Sequence, residues 1–300
     1  MSNLFAGWPA SSRESDLSAA GAHYDGGMTD TLRRSIRATP ARSRTDSPPS
    51  LADADLTFRA AALPQGTAPS VPAEPAPLLL VLPGGSYREH ADHEGTVIAD
   101  WLSGIGLNAL VVRYPVDPHR YPSGLARVQD VLIAARTGAL ELDIDRSRIG
   151  VVGFSAGGHV AALLSTGIAS APVPPEGRVD LSILSYPVIS MTHEPHSESL
   201  ASLLGDRDTL DNRRALSADT LVDAHTPPTF LWHTADDGGV PVSHSLRYAS
   251  ALAAHNVPFD LHVFERGDHG KGLGHGLGPL QAWSALCEAW LGEHGWVPAG

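Results

Sequence analysis

Cysteine is all but missing from this chain: Cys287 is the only one in 300 residues. A single thiol excludes an internal disulfide and a multi-cysteine zinc site, and its apolar, helix-like surroundings mark it as a packed thiol rather than a reactive one. A reducing compartment suits such a chain, so the expected location is cytoplasmic. Long hydrophobic runs are also lacking. The longest aliphatic stretch, Leu78 to Leu82, falls far short of the roughly 18 residues needed to span a bilayer, and the first thirty residues hold no apolar core of a signal peptide. No membrane partner is expected. Positive charge is scarce, with 21 Lys and Arg against 33 Asp and Glu and a formal net charge of −12. A phosphate backbone needs clustered cations, so nucleic acid is not an expected partner either. No internal repeat is present.

What remains, with 42% hydrophobic residues, is enough for one sizeable α/β domain and a tail. Residues 1–50 are rich in Ser, Ala, Arg and Asp and carry no sustained period of 2 or 3.6. Their basic patch, Arg33, Arg34, Arg37, Arg42 and Arg44, has the composition of a transit peptide or an anion-binding arm. The acids Glu14, Asp16, Asp25 and Asp30 ahead of it speak against a transit peptide, and the segment reads as a solvated, disordered N-terminal tail. The folded domain is expected over 51–300.

Within that domain, strand-like and helix-like stretches alternate. Leu56 to Ala62 reads as an outer strand and Leu78 to Leu82 as a central one, buried on both faces and ending in the turn Pro83-Gly84-Gly85-Ser86-Tyr87. Further strands are expected at Leu107 to Tyr114, Ile149 to Gly153, Val179 to Tyr186, Thr229 to Thr234 and Phe259 to Phe264. Helices are expected at Glu94 to Ser103, Pro122 to Gly138, Val242 to His255 and Leu280 to Leu291. Such alternation predicts a mostly parallel central sheet with helices on both faces. Residues 191–226 break the rhythm after a core strand, the position of a small cap over a site.

The chemistry-bearing stretch is Gly153-Phe154-Ser155-Ala156-Gly157-Gly158-His159. A serine with glycines two positions away on each side, between a strand and a helix, is the arrangement of a nucleophile elbow. Strain at the serine demands small neighbours, and the following helix aims its N-terminal N–H groups at the place where negative charge would develop. Two loops after later strands complete the set. Asp236-Asp237-Gly238-Gly239-Val240-Pro241 puts two carboxylates at a strand's carboxyl end, and Glu265-Arg266-Gly267-Asp268-His269-Gly270 holds His269 in a glycine-bracketed turn. Each motif alone reads as an ordinary turn. Together, in the order Ser, acid, His, they carry the nucleophile, orienting acid and base of acyl transfer.

From about Leu78 to Leu291 the chain resembles the α/β-hydrolase superfamily and, within it, the acetyl-esterase branch that includes acetylxylan-esterase-like proteins. The matching residues are Pro83-Gly84-Gly85 with Tyr87, His93-Glu94-Gly95, Arg148-Ile149-Gly150, the elbow, Tyr186-Pro187, Pro227 to Leu231, Asp237 with Val240-Pro241, and His269-Gly270. The resemblance implies nucleophile Ser155, acid Asp237 and base His269. It also implies an oxyanion hole of backbone N–H groups around Gly85, Ser86 and Ala156, with Tyr87 among the substrate-binding residues. Ser86 departs from the pattern, which usually has a third glycine there. The implied activity is hydrolysis of short acyl esters, such as those of acetylated carbohydrates, through a serine ester, with a small-molecule ester as the partner and no cofactor.

Other readings stay open at this point. The same frame serves amidases, formamidases and peptidases, or a catalytically silent binding protein that kept the fold. His90, His93, His159 and His275 raise the question of a metal, but their spacing matches no zinc pattern, so none is expected. Tyr87, Arg88 and His90 read equally as the lining of a polar alcohol pocket and as ordinary loop polarity. Asp236 is expected to cap its turn by accepting backbone N–H bonds, leaving Asp237 to reach His269. Sequence leaves the oligomeric state open.

Overall fold

The Leu78–Leu82 run forms strand β2, every residue of it buried, because helical layers cover both faces of the sheet and leave no wet side for polar alternation. The computed structural model describes residues 55–62, 74–167 and 174–297. The tail expected over 1–50 lies outside the described residues. In chain order the elements are β1 (Asp55–Arg59), β2, α1 (Thr96–Gly104), β3 (Asn108–Arg113), α2 (Ser123–Thr137), β4 (Ile149–Phe154) and α3 (Ser155–Ser165). They continue with β5 (Ser182–Ser185), α4 (Ser197–Leu204), α5 (Leu210–Ala215), β6 (Thr229–Thr234), α6 (Ser243–Ala254), β7 (Phe259–Phe264) and α7 (Trp283–Glu293).

The strands lie in the order β1-β3-β2-β4-β5-β6-β7. Only β1 runs antiparallel, with Leu56 opposite Val112, and the remaining pairs are parallel. The expected mostly parallel sheet with helices is therefore what forms. Alternate residues of each strand divide between two cores. Leu78, Leu80 and Leu82 pack with α2 and α3 residues such as Val128, Leu132 and Val160. Leu79 and Val81 face the other layer, with Ile98 and Leu102 of α1 and Trp283, Trp290 and Leu291 of α7.

The outer strand ends at Arg59 and not at Ala62, and at three other boundaries the difference from expectation has a local reason. The strand anticipated from Val179 shrinks to β5 and stops at Tyr186, whose φ of +36° turns the chain out of the sheet. The helix anticipated from Glu94 begins at Thr96, because Asp92–Glu94 winds as a 3-10 turn closed by Gly95. The last helix is likewise preceded by a 3-10 turn over Gly278–Ala282 with a proline in its first positions. Residues 191–226 hold α4, α5 and short 3-10 turns. Their Leu200, Leu203, Leu204, Leu216 and Leu221 belong to the α2–α3 core, so the segment shares a core with the sheet.

Parallel pairing brings the carboxyl ends of β2, β4, β5, β6 and β7 to one edge of the sheet, where ligands bind in open α/β folds. Leu82 pairs with Gly153, so the turn after β2 lies beside the turn after β4. That proximity builds the site.

Candidate active site

Ser155 opens α3 directly from β4 and adopts φ +51°, a left-handed conformation that a non-glycine residue holds only when its surroundings force it. Close approach supplies the force. A Cβ at Gly157 would overlap the carbonyl oxygens of Leu82 and Pro83, and one at Gly153 would overlap the Gly157 carbonyl. Strand, turn and helix are thus pressed together, and the serine is left at the apex. Phe154, at the N-cap, offers no side-chain bond to the first turn of α3. The amides of that turn, Ala156 among them, lack intrahelical acceptors and carry the positive end of the helix dipole.

His269 Nε2 stands 2.8 Å from Ser155 Oγ, and His269 Nδ1 stands 2.7 Å from Asp237 Oδ2. A carboxylate only accepts, so Nδ1 carries the proton and Nε2 is the lone-pair nitrogen facing the serine hydroxyl. Asp237 is itself saturated: Oδ1 accepts the Gly239 and Val240 amides at 2.8 Å each, and His233 Nε2 approaches Oδ2 at 3.2 Å. Burial alone would raise its pKa. The bonds from His233, His269 and the Val240 amide outweigh burial and hold the carboxyl well below the usual carboxylate range.

Asp236 points elsewhere. Its Oδ1 accepts the Gly267 and Asp268 amides at 2.9 and 3.0 Å, so it caps the loop that presents His269 and not the turn that it belongs to. Sequence reasoning missed this because the β6 and β7 loops become neighbours only through the parallel pairing of those strands.

The loop after β2 passes in front of the elbow. A Cβ at Gly84 would lie 2.9 Å from Ser155 Cβ. Gly85, Ser86 and Tyr87 follow with φ of +123°, +56° and +58°, and the Ser86 angle explains why glycine is the residue to expect there. Among the described residues the Gly85 and Ser86 amides donate to no acceptor. Tyr87 lines a pocket with Pro115, His119, Arg120 and Tyr121. It is 4% exposed, and its hydroxyl is turned inward to donate to His159 Nδ1 at 2.6 Å. His159 Nε2 donates to the Leu216 carbonyl at 2.7 Å. Burial, the main cause, lowers the pKa of His159 to about 4 and keeps the ring neutral. The pair therefore ties the loop after β2 to α3 and to residue 216, and His159 is committed to these bonds and not to a metal. Among the described residues no group of three or more His, Cys, Asp or Glu side chains could hold a metal ion.

Several residues of the surroundings went unread in the sequence. His233 sat within an apolar strand run and is wholly buried, with Nδ1 at 2.8 Å from Ser245 Oγ and Nε2 at 2.9 Å from the Val240 carbonyl. His244 accepts the Ile189 and Ser190 amides and donates to the Glu194 carbonyl. His196 lies close enough to feel the charges of His269 and Asp237, and burial is the first cause of its lowered pKa.

Fold and site together define an α/β-hydrolase with a serine, a histidine and an aspartate joined at the carboxyl edge of its sheet. Residues 67–252 match the BD-FAE family, and the chain belongs to that family. Over 204 residues it is 36% identical to endo-1,4-beta-xylanase B of Butyrivibrio fibrisolvens, covering 64% of this chain and 32% of the relative. Over 211 residues it is 33% identical to acetylxylan esterase of Xylanibacter ruminicola, covering 68% and 43%. The chain thus spans a third to less than half of these relatives. Among solved structures it resembles an acetyl ester-xyloside bifunctional hydrolase from Caldicellulosiruptor lactoaceticus, at 36% identity and a TM-score of 0.74, with 86% of this chain and 95% of that one covered. The resemblance to the acetyl-esterase branch holds in these comparisons. Among the described residues no helix is long and apolar enough to cross a membrane.

Proposed function

We propose that the protein is a serine carboxylesterase that removes short acyl groups, above all acetyl, from esterified carbohydrates. The observation that carries this reading is the line of contacts from Ser155 Oγ through His269 to Asp237 Oδ2 beside unengaged amides of the loop after β2. Similarity to an acetylxylan esterase and to an acetyl ester-xyloside hydrolase supports the acetyl group and the sugar.

Ser155 attacks the ester carbonyl while His269 Nε2 takes its proton, and the negative oxygen is held by the Gly85, Ser86 and Ala156 amides. His269 then protonates the leaving alcohol. Water, deprotonated by the same nitrogen, attacks the acyl carbon, and as the bond to Ser155 Oγ breaks and the acid leaves, His269 returns that proton to the serine oxygen. Asp237 fixes the tautomer and stabilises the imidazolium. No cofactor enters any step. Residues 191–226 serve as a cap in this reading, supported by the bond from His159 to the Leu216 carbonyl. The cytoplasm is the location we propose, on the single buried Cys287.

Rates on chromogenic esters of increasing acyl length, with an anilide and acetylated xylo-oligosaccharides alongside, test the reading. Acetyl and propionyl esters should turn over fastest and the anilide not measurably. Each methylene excluded from the site forfeits up to about 0.8 kcal/mol of burial. Octanoyl esters cleaved faster than acetyl, or the anilide cleaved as readily as the ester, would overturn it.

A further inference from the structure

Glu94 is a buried carboxylate that the chemistry above leaves unused. It ends the 3-10 turn Asp92–Glu94 and is only 2% exposed, a position that a carboxyl tolerates only if its oxygens are hydrogen-bonded. They bond two different segments. Oε2 accepts the Gly84 amide at 2.8 Å, and Oε1 accepts the Tyr186 hydroxyl at 2.6 Å.

Both contacts lead into the site. The Pro83–Gly84 peptide is held at each end, since the Tyr114 hydroxyl donates to the Pro83 carbonyl at 2.8 Å. With that peptide unable to rotate, the backbone of Gly85 and Ser86, next in the chain after a Gly84 that abuts Ser155, is held in place. On the other side, the Tyr186 oxygen accepts the Gly272 amide at 2.9 Å, and the Tyr186 ring stands edge-on to the His269 ring with centroids 5.0 Å apart. Trp283 Nε1 donates to the Gly272 carbonyl at 3.0 Å. The neighbouring His93 donates from Nε2 to the Gly270 carbonyl, the residue after the base, at 2.9 Å. A polar chain therefore runs from the oxyanion turn through one carboxylate to the histidine loop, although the two segments lie far apart in sequence.

We propose that Glu94 is a positioning residue: through Gly84 it fixes the oxyanion amides and through Tyr186 the ring of His269, so that one buried side chain sets the two halves of the site against each other. The inference rests on the esterase reading and adds a residue that never touches substrate. It also distinguishes Glu94 from a purely structural group, because interactions realised only in the transition state act on kcat and leave KM alone.

The test compares Glu94→Gln and Tyr186→Phe with the wild type. Glutamine has the size of glutamate but presents an NH2 where one of the two donors points, so one bond must fail. A reacting group displaced by about 1 Å loses on the order of a hundredfold, and a missing oxyanion donor a hundredfold or more. Glu94→Gln should thus lower kcat by about 10- to 100-fold with KM within about twofold, and slow fluorophosphonate labelling of Ser155 by a similar factor. Tyr186→Phe keeps the bond to Gly84 and should show a smaller loss, again in kcat. Labelling reads the hole whether or not acetyl esters are the substrate, so failure of the substrate reading is separable from failure of this one. Glu94→Gln protein that labels and turns over at the wild-type rate, or loses only thermal stability, would overturn the inference. Should Glu94→Gln not fold, unchanged kcat and labelling in Tyr186→Phe would overturn it equally.

Discussion

Replacing Asp237 by asparagine removes one charge and little volume, and its consequence follows from the four donors around the carboxylate. Gly239 and Val240 amides meet Oδ1, while His269 Nδ1 and His233 Nε2 meet Oδ2. Asparagine has one oxygen and an NH2, so two of the four donors must face another donor. If the oxygen stays on the amides, the NH2 confronts His269, which answers by moving its proton to Nε2. The nitrogen facing Ser155 is then a donor and no longer a base. If the oxygen turns to the histidine, the amides of the turn lose their acceptor at about 1 to 3 kcal/mol of stability for each group left buried and unsatisfied. The first arrangement leaves two backbone bonds intact and should prevail. A serine hydrolase with its base in the wrong tautomer can lose about ten-thousandfold in turnover, or about 5 kcal/mol of barrier. Asp237→Asn should therefore fold and be nearly inactive on a chromogenic acetyl ester. Asp236→Ala, assayed beside it, should lose about 0.5 to 2 kcal/mol of stability as a capping acceptor is removed from the His269 loop, and keep most of its turnover. The reasoning fails if Asp236→Ala is the inactive protein and Asp237→Asn turns over normally.

Two further outcomes follow from the packing around the elbow. Gly157→Ala places a methyl group against the carbonyls of Leu82 and Pro83, so the turn must open; thermal melting and turnover should both fall, and a variant equal to wild type in both would contradict the close approach. His159 is neutral and buried with its pKa lowered from 6.5 to about 4, so between those values the unfolded chain binds the extra proton and stability rises with pH. Melting followed downward from neutral pH should show the loss, worth at most about 3 kcal/mol from this residue; a His159→Gln variant should show a shallower dependence, and an identical slope would contradict the assignment.

The parts legible in sequence were those governed by local pattern. Leu78 to Leu82 and Thr229 to Thr234 begin and end as strands where expected, because a strand buried in a parallel sheet leaves a nearly continuous apolar trace, and the half-exposed edge strand Phe259 to Phe264 was legible from its apolar ends and the turn residues that bound it. The elbow was legible because its glycines answer a steric demand made within a few residues. What escaped were bonds between segments distant in the chain. Glu94 reads as the start of a helix within the matching His93-Glu94-Gly95, and only the fold brings its carboxylate to Gly84 and Tyr186. His233 reads as a polar interruption of β6, yet its Nε2 meets the Asp237 carboxylate that is also bonded to His269. Tyr87 was legible as a residue beside the glycine turn, but its bond to His159 appears only once the fold lays that loop against α3.

The central claim is that Ser155, activated by His269, is the nucleophile of an ester hydrolase. Turnover of a chromogenic acetyl ester by wild type and by Ser155→Ala, with melting measured on both, tests it most directly. The account predicts an intact fold and residual activity below about a hundredth of wild type, since losing the nucleophile of such a triad generally costs far more than that. A folded Ser155→Ala protein that keeps more than about a hundredth of the activity would contradict it.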